Sequence, residues 1–516
     1  MPIKKTFVRE WNGGHYPPYR RCYVEVKMRK LILINPHPIG NVGEENVSVL
    51  NQMPVNLGYL KTLTPNNWEV DIIDETQELA VDEKGENLRF DKPDLVGITS
   101  VSYQANRAYQ IATACRKNGI PVIMGGVHAT SYPDEAAKYV DSVIIREAVS
   151  IWEEIISDFE NNNLKKLYDG GLTPMEKYKD IFSDREFLKN KYKYRYSGII
   201  TTAGCPFSCE FCSVPQFQGR KYRERPVDDV LGELEKIKGQ YRGLILTDEN
   251  FYGHSKKSNE RVRDLFKKMV ERGIYQNWFG FTSLNIYKDD ETLDYMVKSG
   301  CVGVLIGIES INEEALKTMN KGVNLRITID KYKEAVKNIR KHGLAVWGTM
   351  VFGNDSDTTE SFKEVVDFIL DAKIDIMTCG ILCPFINTPL YKRLNSGNRL
   401  FRTNFPEDWI YYTSHHLTYV LSQLSLQEFI DGLEYVYEKI YSTEVIREKF
   451  RRAKTELNNL NAAMFAFRVN LDWQDVFKHL LINLRELQAS GAYEAALEQY
   501  ETLKNKKTLD LASIKA

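Results

Sequence analysis

The chain has 516 residues, of which 43% are apolar and 27% charged, and a formal net charge of −1. That length exceeds what one hydrophobic core serves and implies two or three domains. The even charge balance provides no field for holding a polyanion, which argues against a nucleic-acid partner. The longest apolar run, VGVLIGI, is about seven residues against the roughly 18 of a membrane span, so no transmembrane segment is expected.

The first residues, MPIKKTFVREWNGGHYPPYRR, contain no apolar signal core, so a cytoplasmic setting with reduced thiols is expected. Residues 1–28 read as an extension ahead of the first strand. From there KLILIN, WEVDIID, DLVGITS, PVIMGG and SVIIRE read as strands, and VNLGYLKTL and NRAYQIATACRKNG as helices between them. The helix IWEEIISDF places Ile151, Trp152, Ile155, Ile156 and Phe159 on one face at 3.6 spacing. Short, nearly all-apolar strands alternating with helices predict a doubly wound parallel sheet covered on both faces, over residues 29–165. Ligands of such sheets sit beyond the carboxyl ends of the strands. A polar, turn-rich linker is expected over 166–192.

A second alternation begins near Tyr196, with strands SGIITTAG, GLILTDEN, WFGFTS, VGVLIGIES, LAVWGTMVFG and IDIMTCGILCPF. Six strand–helix units predict a partial (β/α)6 barrel over 193–390, with its chemistry at the strand C-termini. Residues 391–516 read as a helical C-terminal domain rich in Tyr, Phe, Leu and Trp. His415 and His416 fall in this region; as neighbours on a helix they do not share a face.

Three of the eight cysteines, Cys205, Cys209 and Cys212, lie in CPFSCEFC directly after the first barrel strand. Three thiolates on one tight loop suit three corners of an iron–sulfur cubane. Leaving one iron without a protein ligand keeps it open to a substrate, as catalytic metal sites require. A structural zinc ion is the competing reading, but zinc wants four ligands and no fourth Cys or His lies nearby. Cys379 and Cys383, four apart, are expected on one face of the last barrel strand, either as buried small residues or as thiols facing the active site. Cys22, Cys115 and Cys301 carry no local motif.

CPFSCEFC, with the aromatic Phe211 before its last cysteine, resembles the signature of the radical S-adenosylmethionine (SAM) superfamily. The resemblance implies a [4Fe-4S] cluster on Cys205, Cys209 and Cys212, with SAM chelating the fourth iron. One electron then cleaves SAM to methionine and a 5′-deoxyadenosyl radical that abstracts hydrogen. Besides Phe211, it implies SAM contacts from Asp248 and Glu249 in LTDEN, Ser283 in FTS and Glu309 in GIES. An electron donor such as a flavodoxin or ferredoxin is a further implied partner.

The first domain, through VNLGYLKTL, VDIIDET, PDLVGITS and GGVHATSYPDEA, resembles the Rossmann-like cobalamin (B12)-binding domain of class B radical SAM enzymes. Gly125 and Gly126 would let backbone approach a flat ligand, Thr99, Ser100 and Ser102 offer hydroxyls, and His128 would reach the corrin periphery or the cobalt region. The D-x-H-x-x-G string that supplies a lower cobalt ligand in many cobalamin carriers is absent, so that ligand is unassigned. A module that only docks a partner is the alternative for this domain.

These resemblances imply a C-methyltransferase acting on an unactivated carbon, by way of methylcobalamin and the adenosyl radical. Its substrate would be a large apolar or cyclic metabolite, tetrapyrrole- or polycyclic-lipid-like. The alternatives are a class B cyclase or oxidative enzyme without methyl transfer, and a non-catalytic cobalamin or cluster sensor. Methylthiotransferases of transfer RNA carry three further cluster cysteines in the N-terminal domain, whereas only Cys22 and Cys115 precede the barrel here.

Overall fold

The computed structural model describes residues 3–7, 23–37, 52–178, 185–327 and 329–515. Within the N-terminal extension, β1 (Ile3–Phe7) and β2 (Tyr23–Lys27) pair antiparallel; Cys22 lies outside the described residues.

The first sheet comprises β3 (Arg29–Asn35), β4 (Trp68–Asp74), β5 (Leu95–Thr99), β6 (Val122–Gly125), β7 (Ser142–Ile145) and β8 (Leu167–Asp169). All are parallel, in the order β4-β3-β5-β6-β7-β8. Leu31, Ile32, Leu33 and Ile34 are all buried, because helices cover both faces and leave no face for polar side chains. The helix Trp152–Glu160 buries Trp152, Ile155 and Ile156. The strand order reverses between β3 and β5, which opens a crevice at their C-terminal ends. Strand β8 falls in the segment read as linker. Its flanking lysines and exposed Leu167 and Asp169 hide it from a hydrophobicity pattern, and only Tyr168 is buried.

The second sheet adds β9 (Tyr196–Ile199), β12 (Gly243–Leu246), β13 (Trp278–Thr282), β14 (Cys301–Glu309), β15 (Ala345–Phe352) and β16 (Ile376–Ile381), parallel and in sequential order. Between β9 and β12 the short strands β10 (Thr202–Ala203) and β11 (Arg223–Glu224) pair antiparallel across the cysteine loop. Six sequential parallel strands form the open barrel. The helix Leu460–Ala489, capped by Asn459, packs against its strands through Ala462, Ala463, Phe465, Ala466 and Val469, which join Ile245, Phe279 and Trp347 in one apolar cluster.

The two sheets are locked together. Met53 donates its N–H to the Tyr196 carbonyl, 3.2 Å, which covers the barrel's edge strand β9. Tyr59 of the first domain donates to the buried Glu233 carboxylate at 3.0 Å, which also holds Arg185 and Arg225 at 2.6 Å each. Cys383 lies beyond the end of β16 and belongs to the apolar cluster that contains first-domain residues such as Ile34 and Val96, whereas Cys379 lies in the main barrel core. The two thiols therefore do not share a strand face as expected. The C-terminal region is helical except around 399–424, where Leu400 pairs with Tyr419. His415 and His416 lie in a turn of this stretch rather than on a helix.

Candidate functional site

Cys205, Cys209 and Cys212 are free, half-buried thiols on the loop that leaves the barrel after β10. Gly204, at φ +83°, starts the loop; a Cβ there would lie 2.4 Å from the Lys221 carbonyl oxygen. The Cys205 N–H donates to the Gly219 carbonyl at 3.2 Å and the Cys212 N–H to that of Cys209 at 3.2 Å. Glu210, between the ligands, is held by its N–H to Met319 O (2.8 Å) and by its carboxylate to Arg393 (2.6 Å). Burial pushes all three thiols up, Cys212 to about 12; the Lys321 ammonium acts the other way on Cys205 and Cys209. Iron binding must therefore supply the deprotonation, as thiolate ligation generally does. Among the described residues no three ligand-type side chains converge as ligands of a single ion. The three thiols supply the donors that three irons of one cubane take, one short of the four of a structural zinc ion.

Glu309 ends β14 at φ +66°, just past a register shift against β15 between Gly307 and Glu309. This bulge re-aims the carboxylate, and holding a non-glycine residue in that region costs about 1–3 kcal/mol. The carboxylate accepts from Lys321 Nζ at 2.8 Å and Thr349 Oγ1 at 2.9 Å. A side chain on Gly307 would meet Glu309 Oε1 at 2.4 Å and Lys321 Nζ at 2.8 Å, so the ion pair occupies the space that glycine leaves. Lys321 also stands 5.7 Å from the Phe211 ring centre. Burial alone would lower this ammonium, but Glu309 and the thiols outweigh it and raise it. Lys321 has no motif; its partners are found only by folding.

Asp248 is buried and accepts from the N–H groups of Thr201 (2.7 Å) and Thr202 (2.9 Å) and from the Thr201 hydroxyl. It therefore holds the turn that leads into the cysteine loop. The neighbouring Glu249 carries the more available carboxylate. Burial, with the Asp248 charge adding, pushes it up to about 7, and Gln218 Nε2 donates to it at 3.2 Å. Ser283 at the end of β13 is buried and accepts from Asn250 at 2.5 Å.

A cavity of about 590 Å³ lies between the C-terminal ends of the first sheet and the barrel loops, within the range of roughly 300–1,000 Å³ usual for cofactor sites. It opens at the strand-order reversal, with Asn35 and Thr99 on one side and Ala203 and Gln218 on the other. Gly126 (φ 98°, ψ −174°) is its closest backbone approach: a Cβ would lie 2.6 and 2.7 Å from the Ser100 O and N. The buried Ser100 Oγ has no hydrogen-bond partner. A cradle open only to glycine, beside an unpartnered hydroxyl, fits a large flat ligand with polar edges. Thr99, Ser100, Gly125 and Gly126 line it; Ser102 does not.

His128 does not reach this cavity, which corrects the sequence expectation. On the short helix Val127–Ser131, Val127 and Thr130 line the cavity, and His128 lies about 100° around the helix from Val127 and about 160° from Thr130. It is fully buried, 2.8 Å from Tyr109 Oη and 3.3 Å from Glu135, and its ring lies 5.2 Å from Trp409. No histidine among the described residues lines the cavity.

The strand ends of the doubly wound sheet thus share a cavity with Ala203 and Gln218, which flank the three-cysteine barrel loop, an arrangement that suits two cofactors side by side. The comparisons agree: the Radical SAM superfamily matches residues 199–369 and the B12 binding domain residues 47–156. The chain is 32% identical over 386 residues to bacteriochlorophyllide d C-8(2)-methyltransferase of Chlorobaculum tepidum, covering 71% of this chain and 81% of that protein. It is 29% identical over 449 residues to bacteriochlorophyllide d C-12(1)-methyltransferase of the same organism, covering 85% and 93%. Among solved structures, the cobalamin-dependent SAM radical enzyme OxsB superposes with a TM-score of 0.63 at 15% identity, covering 95% of this chain and 87% of that one. The chain belongs to the class B, cobalamin-binding radical SAM enzymes. Its cofactors are a [4Fe-4S] cluster, SAM and cobalamin. Among the described residues no helix is long and apolar enough to cross a membrane.

Proposed function

We propose that this enzyme is a C-methyltransferase acting on an unactivated carbon of a large cyclic, tetrapyrrole-like metabolite. The observation that carries this reading is the cavity at the Gly126 cradle, whose far wall, Ala203 and Gln218, adjoins the barrel loop that carries the cysteines; cobalamin seated there would stand next to the cluster loop and its SAM. The bacteriochlorophyllide methyltransferases support the reaction and the substrate class. When bound, the cluster and SAM supply hydrogen abstraction and cobalamin supplies the methyl group.

Cys205, Cys209 and Cys212 hold the cluster. Glu309, fixed by Lys321 and Thr349, accepts from SAM's amino or ribose hydroxyl groups, with Glu249, Ser283 and Phe211 around it. Asp248 positions the loop. Thr99, Ser100, Gly125 and Gly126 seat cobalamin. Residues 29–165, 193–390 and 391–516 act as the cobalamin, barrel and substrate-facing domains. The enzyme works in the cytoplasm and takes its electron from a flavodoxin- or ferredoxin-type donor.

The test is anaerobic turnover of the reconstituted enzyme with methyl-labelled SAM and a bacteriochlorophyllide d-type tetrapyrrole. Label in the product, with one S-adenosylhomocysteine and one 5′-deoxyadenosine per methyl group, is the expected result. 5′-Deoxyadenosine and altered tetrapyrrole without label would make it a class B cyclase or oxidative enzyme instead, and no SAM cleavage would make it a sensor.

A further inference from the structure

Gln218 occupies a position that the functional reading above does not use. It lines the cobalamin cavity from the barrel side. Its Oε1 accepts from the Gly204 N–H at 2.9 Å, one residue before the first cluster cysteine. Its Nε2 donates to Glu249 at 3.2 Å. Its carbonyl accepts from Arg223 Nη2 at 3.0 Å, and the next residue, Gly219, accepts from the Cys205 N–H at 3.2 Å. Arg223 in turn grips Glu147, which follows β7 and lines the same cavity, at 2.5 and 2.8 Å. Both partners of that ion pair are largely buried, with side chains 7% and 14% exposed. The chain of contacts runs from the first-domain cavity wall, through Arg223 and Gln218, to the cluster loop and the acid proposed for SAM.

We propose that Gln218 is a positioning residue that couples occupancy of the cobalamin cavity to the SAM site, so that each cofactor tightens binding of the other. A corrin filling the cavity packs against Gln218 and leaves its amide one orientation. That orientation presents Oε1 to Gly204 and Nε2 to Glu249 together, as the hydrogen-bond pattern requires. Without a corrin only these two hydrogen bonds hold the amide, so more of the cost of fixing it falls on SAM binding. Coupling of this kind is reciprocal by linkage, typically about 5–150-fold.

The proposal rests on the cofactor assignment but not on methyl transfer, so its test uses neither substrate nor turnover. With the cluster left oxidised, so that SAM is neither cleaved nor spent on cobalamin, labelled SAM is titrated by equilibrium dialysis into the anaerobically reconstituted chain with and without saturating hydroxocobalamin, and cluster integrity is followed by its absorbance signal. The wild type should bind SAM at least five-fold more tightly with cobalamin. In Gln218→Ala both cofactors still bind and the ratio falls towards one. Gln218→Glu keeps the acceptor for Gly204 but sets a carboxylate against Glu249; it should lose the coupling while retaining the unperturbed cluster signal, and it serves if the alanine variant fails to fold. A wild-type ratio of one, or an undiminished ratio in a folded variant, would overturn the proposal. Weak methyl transfer with intact coupling would count against the proposed reaction and leave this inference standing.

Discussion

Two adjacent glycines at the end of β6 make opposite predictions. Gly126 adopts φ 98° and ψ −174°, a region essentially reserved for glycine, where another residue costs about 1–3 kcal/mol. In Gly126→Ala the new methyl would also sit 2.6 and 2.7 Å from the Ser100 O and N and 2.9 Å from Thr99 Oγ1. Two of these neighbours are backbone atoms in a buried strand end and cannot rotate away, so overpacking adds about 1–3 kcal/mol. The sum, about 2–6 kcal/mol, is a large part of an ordinary domain's stability. The cheapest relief is to part the Ser100 and Gly126 turns, which are both cavity walls. Cobalamin affinity should therefore fall at least ten-fold, since about 1.4 kcal/mol suffices for that. At Gly125 the nearest atoms to a new Cβ are those of Ile144, at 3.6 Å, an ordinary contact. Gly125→Ala should thus cost under about 1 kcal/mol, like a typical tolerated core change. Thermal unfolding and hydroxocobalamin titration by absorbance measure both variants. Equal behaviour of the two, or a Gly126→Ala protein that melts and binds like wild type, would refute the reasoning.

Replacing any one of Cys205, Cys209 or Cys212 by alanine should reduce iron and sulfide after reconstitution to near background, whereas Cys379→Ala, deep in the barrel core, should leave them unchanged. Lys321→Met leaves the Glu309 carboxylate 10% exposed and without its cation; losing one partner of a buried pair costs about 3–5 kcal/mol, seen as a lower melting temperature and weaker SAM binding, with Lys321→Arg restoring part of both. Burial lowers His415 to about 4 and His416 to about 3, the latter also through Arg402 and His415. Both are neutral in the fold at pH values where the unfolded chain takes up protons, so their penalty is absent above about pH 6.5 and grows as pH falls from there towards 4 and 3. A His415→Gln/His416→Gln double variant should lose less melting temperature than wild type between pH 7 and pH 5; an identical slope would contradict the shifts.

Much of the architecture was legible because buried parallel strands are written as apolar runs: LILI, VGIT and VGVLIGI each match a strand of the structure. The cysteine loop was equally plain, since its spacing is local. What stayed hidden depends on long-range contacts or on direction. Strand β8 has one buried residue, too little for a pattern. Lys321 matters through a carboxylate that a bulge brings to it, and Gln218 and Arg223 through partners on another element or in the other domain. His128 was placed correctly along the chain but on the wrong side of its helix: adjacent residues point about 100° apart, and only contacts decide which one meets the cavity. The apolar run continues through Cys383 although the strand ends at Ile381, so the pattern alone extends the strand too far.

The most direct test of the account is the cofactor content of the protein produced anaerobically with cobalamin available and then reconstituted with iron and sulfide. The account predicts about four irons per chain, as one cubane requires, together with one bound cobalamin in the wild type, and in Gly126→Ala the same iron with little cobalt. Full iron with no cobalamin in the wild type would contradict it, because the cavity beside the cluster loop would then serve something else.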